Sequence, residues 1–225
     1  MFALHDLLAN LAAERPIFHS EADFQHAFAW LLQRMHPHLS VRLEIPVRLE
    51  QSVLHVDLLA SSTGESVAIE LKYKTRAVVF AASNEEFRLT SQAAQDLGRY
   101  DFIKDIHRLE TLASARPNMS GYAVLLTNDS SYWGPARGSE SVDAAFRLCP
   151  ERTLSGALAW HSSASAGTVR GREAALGLRG SYGVAWRDYS NIDLPRYGAF
   201  KYLAVQVPRC VLSNQRLQPG AAGAT

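Results

Sequence analysis

Glu70 and Lys72 interrupt an apolar run, VAIELKYK at residues 67–74, and Asp57 stands in another, VLHVDLLAS at 53–61. Side chains alternate faces along a strand, so Glu70 and Lys72 share one face while Ile69 and Leu71 share the other. If the two runs pair antiparallel, Asp57 and Glu70 come close on adjacent strands. Two carboxylates held that close repel unless a cation or a proton lies between them. Hard oxygen ligands suit Mg²⁺ or Mn²⁺, which keep waters in their remaining positions. Lys72 can then position or help deprotonate an attacking water, or neutralise charge developing on phosphorus. A surface cross-strand ion pair is the competing reading of Glu70 and Lys72, and their apolar neighbours weaken it.

Hydrophobic periodicity predicts the elements that position these residues. MFALHDLLANLAAERP, with Asp6 and Glu14 among its leucines and no basic leader, fits an amphipathic helix better than a secretion signal. HSEADFQHAFAWLLQRM opens with Ser20 as N-cap and Glu21 and Asp23 in its first turn, where the helix dipole favours anions. Phe24, Phe28, Leu31, Leu32 and Met35 give it one apolar face, and Pro37 ends it. VRLEIPVRLE alternates Val41, Leu43, Ile45 and Val47 against a polar face, and Pro46 points to an edge or a bulge. The two apolar runs form a hairpin around Ser62, Thr63 and Gly64. A second hairpin is expected in AVVFAASNEEFRL, with Ser83 and Asn84 near its tip.

A long helix follows, capped by Ser91, with Ala93, Leu97, Tyr100, Ile103, Ile106 and Leu109 as its buried stripe. Pro117 stops it. GYAVLLTND then reads as a strand buried on both faces. The order is helix, three strands, long helix, strand: an α/β chain in which helices sandwich a mixed sheet.

Beyond Asp129 the pattern loosens. A short helix is expected around Val142 to Leu148, strands in TLSGALAW, SYGVAWRDYS and FKYLAVQV, and a flexible connection in HSSASAGTVRG. Residues 1–129 hold 12 Lys and Arg against 16 Asp and Glu, and residues 130–225 hold 11 against 6, ten of the eleven being arginine. Arginine is shaped for bidentate contact with phosphate. Tyr132, Trp133, Trp160, Tyr182, Trp186 and Tyr189, mixed with Arg137, Arg170, Arg172, Arg179 and Arg187, can stack on bases or form the core and rim of a C-terminal sheet; for Trp160 and Trp186 the core is favoured.

With 47% hydrophobic and 20% charged residues, the composition is that of an ordinary globular chain. No apolar run is long enough to span a bilayer, so no membrane partner is expected, and a cytoplasmic location is. The two cysteines, Cys149 and Cys210, make no CxxC pair and no disulfide framework. Nothing has HExxH, P-loop or GxGxxG spacing, which leaves nucleotide-driven chemistry without support; the histidines, His55 included, read as packed or surface residues.

Asp57, the hairpin, ELK at 70–72, an acid at the start of the preceding helix and the element order together resemble the PD-(D/E)XK nuclease superfamily. The resemblance implies a restriction-endonuclease-like core, αβββαβ, over residues 1–129. Residues 130–212 would be a β-rich C-terminal extension of the same domain, and 213–225 a disordered tail. It implies that Asp57 and Glu70 bind the metal, that Lys72 assists the attacking water, and that Glu21 completes the metal shell. The family's long helix often presents a glutamine to the site, and in one branch a tyrosine follows. Gln92 and Gln95 are the candidates for the glutamine, Gln95 being preferred, and Tyr100 for the tyrosine, with Arg99 and Lys74 as further substrate-binding residues. Val56 stands before Asp57 where the family name has proline. The implied activity is Mg²⁺- or Mn²⁺-dependent hydrolysis of nucleic acid, DNA above RNA, leaving a 5′-phosphate and a 3′-hydroxyl, and a homodimer is compatible with cutting two strands. The alternative is the same fold kept as a catalytically inactive module that binds nucleic acid or a protein.

Overall fold

The second helix shows how local sequence sets the frame. In the computed structural model, which describes residues 2–50, 53–82, 84–135 and 141–210, the Ser20 Oγ accepts the Asp23 N–H at 3.1 Å and α2 runs Glu21–Met35. A first helix, α1, spans Leu4–Glu14. Both lay leucine and phenylalanine faces on one side of a sheet. Phe24 and Phe28 are fully buried there, each contributing about 1.5–3 kcal/mol of apolar burial.

The sheet has six strands in the order β1 (Ser40–Arg48), β2 (Val53–Ser62), β3 (Glu65–Lys74), β6 (Met119–Thr127), β10 (Ala199–Val207) and β9 (Trp186–Asn191). It is mixed: β3 and β6 are parallel and the other neighbours antiparallel. Between β3 and β6 the chain makes a small hairpin, β4 (Val78–Ala82) with β5 (Glu85–Leu89), and the long helix α3 (Gln95–Ala115). α3 covers the face opposite α1 and α2. A second two-stranded sheet, β7 (Thr153–Leu158) with β8 (Leu176–Gly183), shares the α3 core, and a single 3-10 turn, Ala144–Phe146, stands in place of the short helix predicted there. The connection expected to be flexible contains the one-turn helix α4, Ala166–Val169. The C-terminal region thus supplies two strands of the main sheet as well as the added hairpin. The predicted tail at 213–225, Ser83 and Arg137 lie outside the described residues.

Two expectations are corrected. The alternation of Val41, Leu43, Ile45 and Val47 predicts one buried face, but Val41 and Leu43 pack with α1 and α2 while Ile45 and Val47 pack with α3. The ribbon turns over at Glu44, whose φ is 50°, and β2 turns with it: Leu58 and Ala60 face α1 and α2, Val56 and Leu54 face α3. Pro46 stands on the sheet's edge strand, where its missing N–H costs nothing. The second correction concerns α3, which starts at Gln95 rather than after Ser91. The Ser91 Oγ instead accepts the Ala77 N–H at 3.0 Å, and Ala94 takes a left-handed φ of 66°. Ala93 is exposed, outside the stripe assigned to it.

Candidate active site

The turnover of the β1–β2 ribbon opens the site. β2 pairs with β3 only from Leu58 and Ile69 to Ser62 and Glu65, so beyond Ile69 that edge of β3 has no strand beside it. The N–H groups of Leu71 and Tyr73 point to this edge, and an unpaired backbone donor in a sheet interior is costly. Two carboxylates take them. Asp57 Oδ2 accepts from Leu71 N at 2.7 Å, and Glu21 Oε2, from the first turn of α2, accepts from Tyr73 N at 2.8 Å. Two residues of strand separate these donors, about 6.6 Å. Lys74 Nζ lies 3.9 Å from the same Glu21 oxygen.

Glu70 and Lys72 point toward α3, whereas Ile69, Leu71 and Tyr73 fill the core on the other face. On α3 they meet Asp105 and Arg108. Lys72 Nζ is 3.1 Å from Asp105 Oδ2, Arg108 Nη2 is 3.3 Å from Glu70 Oε1, and Arg108 Nη1 is 3.1 Å from Asp105 Oδ1. The Arg108 guanidinium also donates to the His55 carbonyl, which ties α3 to β2 two residues before Asp57. Glu70 and Asp105 are 1% and 4% exposed. Despite the nearby cations, Glu70 Oε1 and Asp105 Oδ2 are buried without a hydrogen bond of good geometry.

The electrostatics follow from that burial. Desolvation, then the charges of Asp105 and Asp57, push the Glu70 pKa up to about 9 against the pull of Arg108 and Lys72. Burial raises Asp105 as well, with Lys72 and Arg108 opposing. Burial pulls Lys72 down, but Asp105, Asp57 and Glu21 together outweigh it and hold the ammonium above its ordinary value. Lys72 is a fixed cation at neutral pH, and the cluster has more carboxylate than it can leave ionised.

Among the described residues, no three His, Cys, Asp or Glu side chains stand close enough together to enclose a metal ion. The donor chemistry nonetheless fits one: carboxylate oxygens only, two of them buried and lacking hydrogen bonds, in a site whose carboxylates repel. Asp57 and Glu70 would hold such a cation, with Asp105 beside them.

The structure brings together Asp57, Glu70 and Lys72, with Glu21 and Lys74 at the adjoining edge. Gln95 is not in this group. Its Nε2 donates to Asp129 Oδ2 at 2.9 Å, and Asp129 also pairs with Arg76 at 3.0 Å, about 15 Å along the α3 axis from Asp105. Gln92 is exposed, its backbone N–H bonded to the Thr75 carbonyl at 2.9 Å. Tyr100 is buried, stacked on Trp160 and donating to the Ala174 carbonyl at 2.9 Å. Arg99 is buried too, with Nη1 2.6 Å from Asp143 and Nη2 2.6 Å from the Ser131 carbonyl. Trp160 and Trp186 donate to the carbonyls of Arg172 and Leu148, so both are spent inside the C-terminal region.

Sequence reasoning missed Asp105 and Arg108. The available signal was Phe102, Asp105, Leu109 and Leu112, which share one face of α3 at helical spacing and are all buried, so that an acid stands in an apolar stripe. Compared with models of protein families, with curated proteins and with solved structures, the chain has no match.

Proposed function

We propose that this protein is a divalent-metal-dependent phosphodiesterase acting on nucleic acid, DNA by preference, with a restriction-endonuclease-like core. The reading is carried by one observation: β2 withdraws from β3 at Asp57, and an acid from each strand and a lysine from β3 collect at the gap that it leaves. A structural ion pair needs no such gap.

Asp57 and Glu70 would hold Mg²⁺ or Mn²⁺. When bound, the ion would supply charge neutralisation at phosphorus and a more acidic attacking water. Lys72, kept protonated by Asp105, Asp57 and Glu21, orients that water and faces the charge that builds on the phosphoryl oxygens. Water attacks phosphorus and gives up a proton to solvent as the bond to the 3′-oxygen breaks, and that oxygen takes a proton from solvent, leaving a 5′-phosphate and a 3′-hydroxyl. Asp105 fixes Lys72, and Arg108 holds α3 against β2 so that the two halves of the cluster keep their spacing.

The mutual pairing of Lys72, Asp105, Arg108 and Glu70 favours a second reading, a non-catalytic nucleic-acid-binding module whose cluster is a buried ion network. Incubating wild type and Lys72→Ala with supercoiled plasmid and a single-stranded oligonucleotide, in Mg²⁺, Mn²⁺ or EDTA, separates the two. Metal-dependent cleavage lost in Lys72→Ala supports the enzyme, and equal inertness under every metal sinks it.

A further inference from the structure

A cavity of about 660 Å³ lies where α3 ends, between its last turn, the end of β1 and the start of the loop that follows. Three arginines from three elements converge on it: Arg48 from β1, Arg116 at the C-cap of α3, and Arg179 from β8. Ser114 and Thr111 lie in the α3 wall, and Glu50 is the only acid in the lining among the described residues. Among the described residues none of the three arginines forms an ion pair, whereas Arg99 and Arg108 on α3, and Arg172, which reaches Asp101 on the same helix, are all paired with carboxylates.

Internal contacts aim two of the three without neutralising them. Arg116 Nη2 donates to the Arg48 carbonyl at 3.0 Å, and Arg179 donates to the Ser114 hydroxyl. The backbone of Arg179 is itself held: its N–H and that of Gly180 donate to the buried Glu110 carboxylate at 2.7–3.0 Å. The carbonyl end of a helix attracts one cation, which accounts for Arg116. It does not account for two more brought in from separate strands, which together make this concavity a positive patch suited to an anion.

The cavity and the candidate active site lie along the same helix. Thr111 in its wall is one turn beyond Arg108, which contacts Glu70 and Asp105. From Arg108 to Arg116 is about 12 Å along the helix axis. That equals roughly three to four nucleotide steps at the axial rise of one strand in a duplex. We propose that this cavity binds a backbone phosphate of a nucleic-acid strand, held by Arg48, Arg116 and Arg179, while a phosphodiester a few nucleotides along the same strand lies at Asp57, Glu70 and Lys72. The inference rests on the phosphodiesterase reading and adds to it a path for the strand along α3 and a fixed distance between grip and cut.

Fluorescence anisotropy of a labelled DNA duplex and a labelled single strand, in Mg²⁺ and on a Lys72→Ala background that keeps the probe intact, measures the grip. Arg48→Ala and Arg116→Ala should each weaken binding about tenfold and lower the slope of log K against log salt by roughly one. Arg48→Glu, at an exposed residue whose side chain makes no hydrogen bond among the described residues, tests the site without touching the α3 cap. Arg42→Ala, which removes the same charge from the other half of β1, should leave affinity unchanged. Unaltered affinity and salt slope in all the cavity variants would overturn the site, as would no binding by the Lys72→Ala parent. Competition by inorganic phosphate at the oligonucleotide's own phosphate concentration would make it a small-anion site and overturn the strand path. Arginine-dependent binding by a wild type that cuts nothing in Mg²⁺ or Mn²⁺ keeps the strand-binding site and removes the phosphodiesterase.

Discussion

Lys72 and Asp105 face each other at 3.1 Å across the β3–α3 interface, and the pair belongs to both the core and the candidate active site. Asp105 is almost completely buried, and Lys72 keeps 18% of its side chain exposed. The acid is therefore placed to hold the lysine and not to touch a substrate. Asp105→Asn keeps the shape and removes the charge. In steady-state cleavage of plasmid it should lower kcat about tenfold or more with little change in KM, the range found when a residue supporting a catalytic group is lost. Asp105→Glu should recover part of the loss. Unchanged kcat in Asp105→Asn would reduce the pair to a buried ion bridge.

Glu70 gives the protein a stability that depends on pH. With its folded pKa pushed up to about 9, the native state keeps a proton that the unfolded chain gives up near the ordinary value of 4.5. Between those values the unfolded state binds fewer protons, so stability is fully present below about pH 4.5 and is lost as pH rises toward 9. In EDTA, Glu70→Gln should be more stable than wild type by a few kcal/mol at pH 8 and by little at pH 4.5. Urea unfolding across that range measures it, and a gap independent of pH would show that Glu70 is ionised in the fold.

Arg99 tests whether a basic residue of α3 serves substrate or structure. Its guanidinium is 5% exposed and is bonded to Asp143 and the Ser131 carbonyl. Arg99→Ala leaves the buried Asp143 carboxylate, among the described residues, with Arg147, 3.2 Å away, as its ion-pair partner. The expected cost is about 3 kcal/mol of folding stability, read from urea unfolding. Affinity of the folded fraction for DNA should be unchanged, and a selective loss of affinity would return Arg99 to the substrate side.

The residues that collect at the gap were legible because strand alternation is a local rule. Glu70 and Lys72 had to share a face, and the Ser20 cap had to set Glu21 at the start of a helix. What stayed hidden is set by contacts between elements. Glu44 and Asp57 mark where a two-stranded ribbon rolls over, and nothing in VRLEIPVRLE announces a left-handed glutamate. The Ser91 hydroxyl has the pattern of a helix cap, yet it bonds to the Ala77 N–H, far off in sequence. Gln95 likewise looks free on a helical wheel until Asp129 arrives from the end of β6. Asp105 is the opposite case: its burial could be counted from the apolar stripe, but its partner could not.

The place of β10 in the sheet bears on how the chain is made. Residues 119–127 form β6, almost wholly buried, and its free side is closed by β10, whose first pairing partner lies 74 positions further on, Lys201 against Thr127. A ribosome releases the protein from the N-terminus, so the apolar edge of β6 emerges long before the strand that covers it. Until residue 207 is out, that edge is an open template for pairing with a neighbouring nascent chain. The last strand among the described residues therefore guards the β6 edge against aggregation, and a chain cut short before it is a hazard to its neighbours.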